Sequence, residues 1–147
     1  MGIFSSNDKQ TNEKAGPTII SEGTYFIGGV STNGIVHIDG KYEGVILQAE
    51  LVTITQNGTF IGDIKSKNVV ISGYVDGKID CDTIQILNGA KVIAEIRHLD
   101  MSIEKDAQFE GKSIKKDSHL RTEYHQVNNK LNSFINKANK IGNALEE

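Results

Sequence analysis

Histidine and cysteine, which often carry catalysis or bind metals, are scattered through this sequence. His37 alternates with two apolar neighbours and is expected to face outward from a strand, and His98 lies far from it along the chain. His119 and His125 fall in a separate C-terminal segment. No His-Glu-x-x-His, Cys-x-x-Cys, P-loop or Gly-x-Ser-x-Gly motif occurs. The sequence therefore indicates no metal centre, nucleotide site or activated nucleophile.

Three aspartates are the strongest remaining candidates for a catalytic group. Asp76, Asp80 and Asp82 lie close together, and the last two flank Cys81 at an expected corner of the fold. We expect neither a carboxylate ladder nor a Lys or Arg ladder at the same position in neighbouring repeats, so the partners for acid–base catalysis are missing. Cys81 is expected to be a small, partly buried apolar residue. We therefore predict no enzymatic activity and no cofactor.

The elements that would position any site are defined by a repeat of about 17 residues. Each copy has a small residue at its centre and an apolar residue two positions earlier, and a second apolar-x-apolar phrase keeps the same spacing. The central residues are Gly28, Gly44, Gly62, Gly77, Ala94 and Gly111. The apolar residues before them are Phe26, Tyr42, Phe60, Val75, Val92 and Phe109.

The apolar pieces within each repeat have a period of two and many β-branched residues, which predicts strands. They are only about 3–5 residues long, shorter than most strands of a β-sandwich. Nothing of helical length lies between them, which excludes a sheet built from βαβ units. Equivalent residues of successive repeats would stack about 4.8 Å apart in a parallel β-helix. The repeat therefore predicts an all-β fold, a three-sided parallel β-helix of about six coils.

The two ends of the chain differ in composition from the repeat. Residues 1–16 are mostly polar and predict a disordered N-terminal tail, and residues 17–113 are the predicted β-helix domain. Residues 114–147 have apolar side chains alternately three and four positions apart, which predicts an amphipathic helix with a heptad pattern. Its apolar positions are Leu120, Tyr124, Val127, Leu131, Phe134, Ala138, Ile141 and Leu145.

The C-terminal helix is expected to need a partner surface, because its many asparagines lower its intrinsic stability. Three interpretations stay open. The helix forms a coiled coil with another copy or a partner, it packs back on the β-helix or caps the last coil, or it lies on a membrane surface.

Charge and hydropathy exclude several classes of function. Residues 17–113 carry 8 basic and 13 acidic side chains, which does not suit nucleic-acid binding. We find no secretory signal and no segment long enough to span a bilayer, and one cysteine gives no disulfide framework. The simplest expectation is a soluble, cytoplasmic protein.

The two ends of a β-helix expose unpaired backbone groups and part of the apolar core. We predict that these ends pair with further copies of the chain, which would produce filaments. The predicted interface residues are Ile19, Ile20, Tyr25 and Phe26 in the first coil and Met101, Ile103 and Phe109 in the last coil.

The repeat resembles that of the bactofilins, a family of bacterial cytoskeletal proteins. The resemblance lies in the stretch from Pro17 to Thr24, in the phrase Ile-Asp-Gly-Lys-Tyr-Glu-Gly that ends at Gly44, and in the last coil around Phe109. It implies a right-handed β-helix whose copies polymerise end to end, without nucleotide, into apolar filaments.

The same resemblance implies association with the inner face of the cytoplasmic membrane through a short N-terminal tail. In this chain that role falls on Ile3 and Phe4. It also implies a scaffold that localises peptidoglycan-modifying enzymes and shapes the cell. The heptad helix departs from the family pattern, in which the C-terminal tail is usually short and disordered. Two alternatives remain: a β-helix enzyme acting on carbohydrates or transferring acyl groups, and a non-polymerising adaptor that binds partners through the C-terminal helix.

Overall fold

The computed structural model of the chain describes residues 15–117 and Asn136. The chain divides into two compact units, Met1–Lys116 and Asp117–Glu147. In the second unit, Asn136 is helical and exposed. In the first unit, the described residues form twelve strands. They are β1 (Thr18–Ile20), β2 (Tyr25–Ser31), β3 (Ile35–Ile38), β4 (Lys41–Gln48), β5 (Leu51–Ile54), β6 (Thr59–Lys65), β7 (Asn68–Ile71), β8 (Tyr74–Asp80), β9 (Thr83–Ile86), β10 (Lys91–His98), β11 (Asp100–Ile103) and β12 (Gln108–Lys115).

These strands wind into a parallel β-solenoid of six coils, each made of one short and one long strand. The short strands form one sheet in the order β1-β3-β5-β7-β9-β11, and the long strands form a second sheet in the order β2-β4-β6-β8-β10-β12. Every pairing is parallel. Coil 1 is β1 with β2, and coil 6 is β11 with β12. The all-β fold predicted from the repeat is confirmed.

The sheet register follows the sequence repeat. The six central small residues are aligned in neighbouring strands, as are the apolar residues two positions before them. The alternation of each strand places one set of side chains inside the solenoid and the other set outside. The aligned inner residues stack into ladders, and their burial provides the main stabilisation of the solenoid.

Small residues divide each long strand into two parts, which fits three faces in every coil. Gly77 has a φ of +147°, and a Cβ added there would lie 1.8 Å from the carbonyl oxygen of Gly62 in the preceding coil. Phe60 and Ile64, on the two sides of Gly62, both point into the core. Glycine is needed at such a position because the backbone conformation and the close coil stacking both exclude a side chain.

Candidate functional site

Both ends of the described solenoid present strands with one unpaired edge. Strands β1 and β2 form the N-terminal end, and strands β11 and β12 form the C-terminal end. Each is the outermost strand of its sheet among the described residues, so its backbone N–H and C=O groups on the outer side lack a strand partner. Such edges can pair with strands of another chain.

The apolar ladder of the long strands is closed in the middle and open at both ends. Tyr42, Phe60 and the next two members of the ladder are completely buried. Phe26 in coil 1 and Phe109 in coil 6 are only partly buried. The core therefore continues to both ends of the described solenoid, where one aromatic ring at each end lacks a covering coil among residues 15–117.

The ladder of the short strands is also open at the C-terminal end. Ile86 in coil 5 is completely buried, whereas Ile103, aligned with it in coil 6, is 48% exposed. Met101, the other inner residue of β11, is partly buried. At the N-terminal end Ile20 is buried, at 7% exposure. Met101, Ile103 and Phe109 thus all lie in the last described coil, and their role in an interface stays a prediction.

Two residues predicted at the N-terminal interface point away from the core. Ile19 is 56% exposed and Tyr25 is 51% exposed. The Tyr25 hydroxyl donates a hydrogen bond to the Glu43 carboxylate, and the Lys41 ammonium lies 4.9 Å from the centre of the Tyr25 ring. The hydrogen bond to Glu43 raises the pKa of Tyr25. The Tyr25 ring is therefore held along the flank of coil 2, so it borders the end and does not continue the core.

Ion pairs connect the end of coil 6 to coil 4. The Lys116 ammonium lies 2.7 Å from one carboxylate oxygen of Asp80 and 3.5 Å from Asp82, and the Lys116 side chain is only 11% exposed. Arg97 in coil 5 also reaches Asp80, at 3.4 Å. Asp80 is aligned with Lys65 and Arg97 in the adjacent coils. The expectation that no Lys or Arg ladder accompanies these aspartates is therefore wrong, and the carboxylates form ion pairs.

One inner corner of the solenoid holds a column that the sequence analysis did not identify. Ala49, Ser66, Cys81 and His98 are all buried there, at the spacing of the repeat. The Ser66 hydroxyl donates to the carbonyl of Asn68 at 2.8 Å, and Nε2 of His98 lies 2.6 Å from the Ser113 hydroxyl. The shared spacing was visible in the sequence, but the mixed residue types hid the column.

The chemistry of this column does not resemble a nucleophilic site. Burial raises the pKa of the Cys81 thiol to about 12, against a usual value of 9.0, and the nearby carboxylates of Asp80 and Asp82 add to the effect of burial while Lys116 opposes it. The thiol is therefore protonated at neutral pH, and only the thiolate is a strong nucleophile. Cys81 is buried more completely than the sequence analysis expected.

The remaining candidate groups are dispersed over the described surface. His37 is half-exposed, with Nε2 3.2 Å from the Asp39 carboxylate, so the prediction that it faces outward is confirmed. Within residues 15–117 no group of three or more His, Cys, Asp or Glu side chains is arranged to hold a metal ion. An open hollow of about 340 Å³ lies on the flank, and its lining includes Val45, Leu47 and Lys65.

Several predicted residues lie outside the described part of the chain. These are Ile3 and Phe4 of the N-terminal tail and the apolar heptad positions from Leu120 to Leu145. The described residues include no helix with the length and hydrophobicity of a transmembrane span.

A comparison with protein-family models matches residues 18–114 to the family described as "Bactofilin: Polymer-forming cytoskeletal". Searches of curated proteins and of solved structures found no match. The matched residues span the whole solenoid, from β1 almost to the end of β12. They therefore include both open ends and every ladder described above. Because the family model covers about two thirds of the sequence, the chain belongs to the bactofilins, a family of polymer-forming cytoskeletal proteins.

Proposed function

We propose that this protein assembles end to end into filaments that need no nucleotide, and that the filaments act as a scaffold rather than an enzyme. The observation that carries the proposal is the contrast in burial along one ladder: Tyr42 and Phe60 are completely buried, while Phe26 and Phe109 at its two ends are not. An adjoining solenoid would cover these rings as a further coil does.

Two kinds of contact would form at each joint. The outer strands supply unpaired backbone groups for a continued sheet, and the ring of Phe26 or Phe109 becomes covered by apolar side chains of the next copy. Covering each partly exposed aromatic ring contributes about 1–2 kcal/mol. Both contributions come from binding itself, so assembly needs no hydrolysable nucleotide.

A pelleting assay tests nucleotide-independent assembly. The full chain is incubated at increasing concentration in a buffer with EDTA and a nucleotide-degrading enzyme, and is then centrifuged at high speed. We expect a critical concentration above which the additional protein pellets, and the same value when ATP or GTP is added. A chain that stays in the supernatant until nucleotide is added would contradict the proposal.

We also propose that the filaments associate with the inner face of the cytoplasmic membrane through Ile3 and Phe4. These two side chains contribute about 3–6 kcal/mol if both are fully buried in lipid. One copy would bind weakly, and a filament would repeat the contact many times and gain by avidity.

Liposome flotation tests this contact. The variant Ile3→Glu/Phe4→Glu should lose flotation with vesicles of bacterial lipids, and the matched variant Ser5→Glu/Ser6→Glu should float less well than the parent but better than the first variant. Both variants should still pellet as filaments. Equal flotation of the two variants would show that the apolar pair is not the anchor.

The proposed role of the membrane-bound filament is to position peptidoglycan-modifying proteins and so influence cell shape. This role follows from the scaffold and from the family resemblance. In cells that depend on the protein, replacing it with a variant that cannot form filaments should disperse its own fluorescent signal and the local pattern of new cell-wall synthesis. An unchanged pattern of wall synthesis would contradict this role.

A further inference from the structure

One flank of the solenoid carries two columns of charged residues whose signs alternate from coil to coil. In coils 3 to 5 the first column is Asp63, Lys78 and Glu95, and the second is Lys65, Asp80 and Arg97. In coil 6 the columns continue with Lys112 and Ile114. The two residues of each coil lie two positions apart on one strand, so they point to the same side. Each of coils 3, 4 and 5 therefore presents one acid and one base, and their order reverses in the next coil.

Most of these charged side chains form no ion pair within the described part of the chain. Asp80 binds Lys116 and Arg97. By contrast, Asp63, Lys78 and Glu95 make no ion pair or hydrogen bond with any described residue, although opposite charges stand next to them. All three side chains are exposed. They are therefore available to a partner of complementary charge.

Two apolar residues of coil 2 lie on the same side of the solenoid as the charged columns. Val45 is aligned with Asp63 and is 38% exposed, and Leu47, two positions later on β4, is 60% exposed. We call the surface formed by Val45, Leu47 and the two charged columns the flank face. It consists of one apolar row followed by three rows of opposite charges.

We propose that the flank face binds the flank face of a second copy, with the two solenoid axes parallel and the coils in register. A two-fold axis parallel to the solenoids exchanges the two columns. Asp63 then faces the partner's Lys65, and Lys78 faces the partner's Asp80. The same operation places Val45 opposite the partner's Leu47, so all four rows meet a complementary row.

Antiparallel pairing does not give this match. If coil 4 faces coil 4 of an antiparallel copy, Lys78 meets the partner's Lys78 and Asp63 meets the partner's Glu95. Like charges in direct opposition are destabilising. A shift of one coil restores opposite charges, but it places Val45 and Leu47 either opposite the partner's Glu95 and Arg97 or beyond the last coil of the partner's solenoid. Only the parallel arrangement in register covers the apolar row with apolar side chains and places every charge of coils 3, 4 and 5 opposite a charge of the other sign.

A second copy of the chain fits this face better than a polyanion or a polycation does. In coils 3 to 5 the two columns hold three acids and three bases, and Lys112 continues the first column in coil 6. A single excess positive charge is too little to attract nucleic acid or anionic lipid strongly. The alternation is matched by the same face of another copy, because the two-fold axis brings each acid opposite a base.

The flank face is narrow, with about 7 Å between its columns and about 4.8 Å between its rows. It is therefore smaller than a typical stable interface of about 800 Å² per partner, and one pair of solenoids should bind weakly. In this respect the inference rests on the proposed function, since a filament would repeat the contact along its length. The open hollow of about 340 Å³ is lined by the residues of the flank face itself, and the long Lys and Arg side chains of the partner would enter it.

The test compares a single charge reversal with a swap of the pair. Asp63→Lys places a lysine opposite the partner's Lys65 and should weaken lateral pairing on the order of tenfold. Asp63→Lys/Lys65→Asp restores opposite charges between parallel copies and should bring pairing back to within about twofold of the parent. Inside one chain, however, the swap puts the introduced lysine beside Lys78 and the introduced aspartate beside Asp80. If these charges acted only within one chain, the double variant would thus pair less well than the single variant.

Electron microscopy of the full chain measures the fraction of filaments that lie side by side. We expect paired filaments for the parent and for the double variant, and single filaments for Asp63→Lys and for the parent in high salt, which screens exposed charges. Filaments that are single in the parent would overturn the inference while leaving the proposed function intact. The absence of filaments in the parent would instead contradict the proposed function.

Disulfide cross-linking tests the pairing even when filaments are absent. Val45→Cys and Leu47→Cys are made separately in a Cys81→Ala background, with a size tag on one of them, and are mixed at high concentration. Parallel pairing predicts several times more product between the two variants than within either one. No preference for the mixed product would overturn the proposed arrangement.

Discussion

The ring of Phe26 packs against the ring of Tyr42 in the next coil, with 4.8 Å between the ring centroids and an angle of 42° between the ring planes. Tyr42 is in turn covered by Phe60 at 5.1 Å, so it is completely buried. Among the described residues, Phe26 has an aromatic neighbour of this kind on one side only. This difference makes Phe26 a core residue of the solenoid and, at the same time, part of its open end.

Replacing the two phenylalanines by alanine should separate stability from assembly. Phe60→Ala removes a completely buried ring and should lower the free energy of unfolding by about 3–5 kcal/mol. Phe26→Ala should lower the free energy of unfolding by no more than about half of that amount, because the Phe26 ring is partly exposed. It should nevertheless weaken assembly more strongly than Phe60→Ala does. Chemical denaturation and pelleting of folded protein check the two effects. Equal losses of stability would contradict the assignment of Phe26 to an open end.

Gly77 should tolerate no side chain. Gly77→Ala places a Cβ 1.8 Å from the Gly62 carbonyl oxygen at a φ of +147°, and we expect a loss of about 2–5 kcal/mol in the free energy of unfolding. Gly16→Ala is the matched control, because no atom lies within 4 Å of the added Cβ. Thermal unfolding of both variants measures the difference. A Gly77→Ala protein as stable as the control would show that the coils are not stacked as described.

Lys116 should hold coil 6 in place. Lys116→Met removes the cation that pairs with Asp80 and Asp82 and leaves Asp80 with Arg97 as its only cationic partner among the described residues, so it should lower the free energy of unfolding by about 1–2 kcal/mol. Hydrogen exchange should then speed up mainly in β12. The neighbouring Lys115 is exposed, and Lys115→Met should change neither quantity by a measurable amount. If both variants behave alike, the ion pairs of Lys116 do not stabilise the last coil.

The buried thiol of Cys81 predicts a change of stability with pH. Burial raises its pKa in the folded chain to about 12, whereas the usual value is 9.0. The stability that the protonated thiol gives the folded chain is fully present below pH 9 and is lost as the pH rises towards 12. The loss occurs because Cys81 gives up its proton at a lower pH in the unfolded chain than in the folded one. Between pH 8 and pH 10 the parent should lose about 1 kcal/mol more than Cys81→Ala. Urea titrations at both pH values check this, and parallel losses would contradict it.

The sequence repeat was sufficient to predict the register of the core. Equivalent positions such as Phe60 and Val75 had to be aligned, because a shift by one residue would turn every apolar side chain outward. The small residues before and after them, such as Gly62, marked the places where the coils approach most closely. These features depend on local pattern and period, which a single sequence contains.

Features that depend on side-chain geometry could not be predicted in the same way. Tyr25 was predicted as an interface residue of the first coil, and the sequence did not reveal that its side chain points outward and hydrogen-bonds to Glu43. The ion pair between Lys116 and Asp80 joins residues two coils apart, and no local pattern indicates it. The burial of His98 followed from its position at a corner, which the apolar periodicity did not reveal.

The most direct test of the central claim is electron microscopy of the full chain without nucleotide or metal, for the parent, Phe109→Arg and Glu110→Arg. Phe109 is an inner residue at the open C-terminal end, and its neighbour Glu110 points outward from the same strand. We predict long filaments for the parent and for Glu110→Arg, and only short particles for Phe109→Arg. Long filaments from folded Phe109→Arg, or none from the parent, would contradict assembly through the ends of the solenoid.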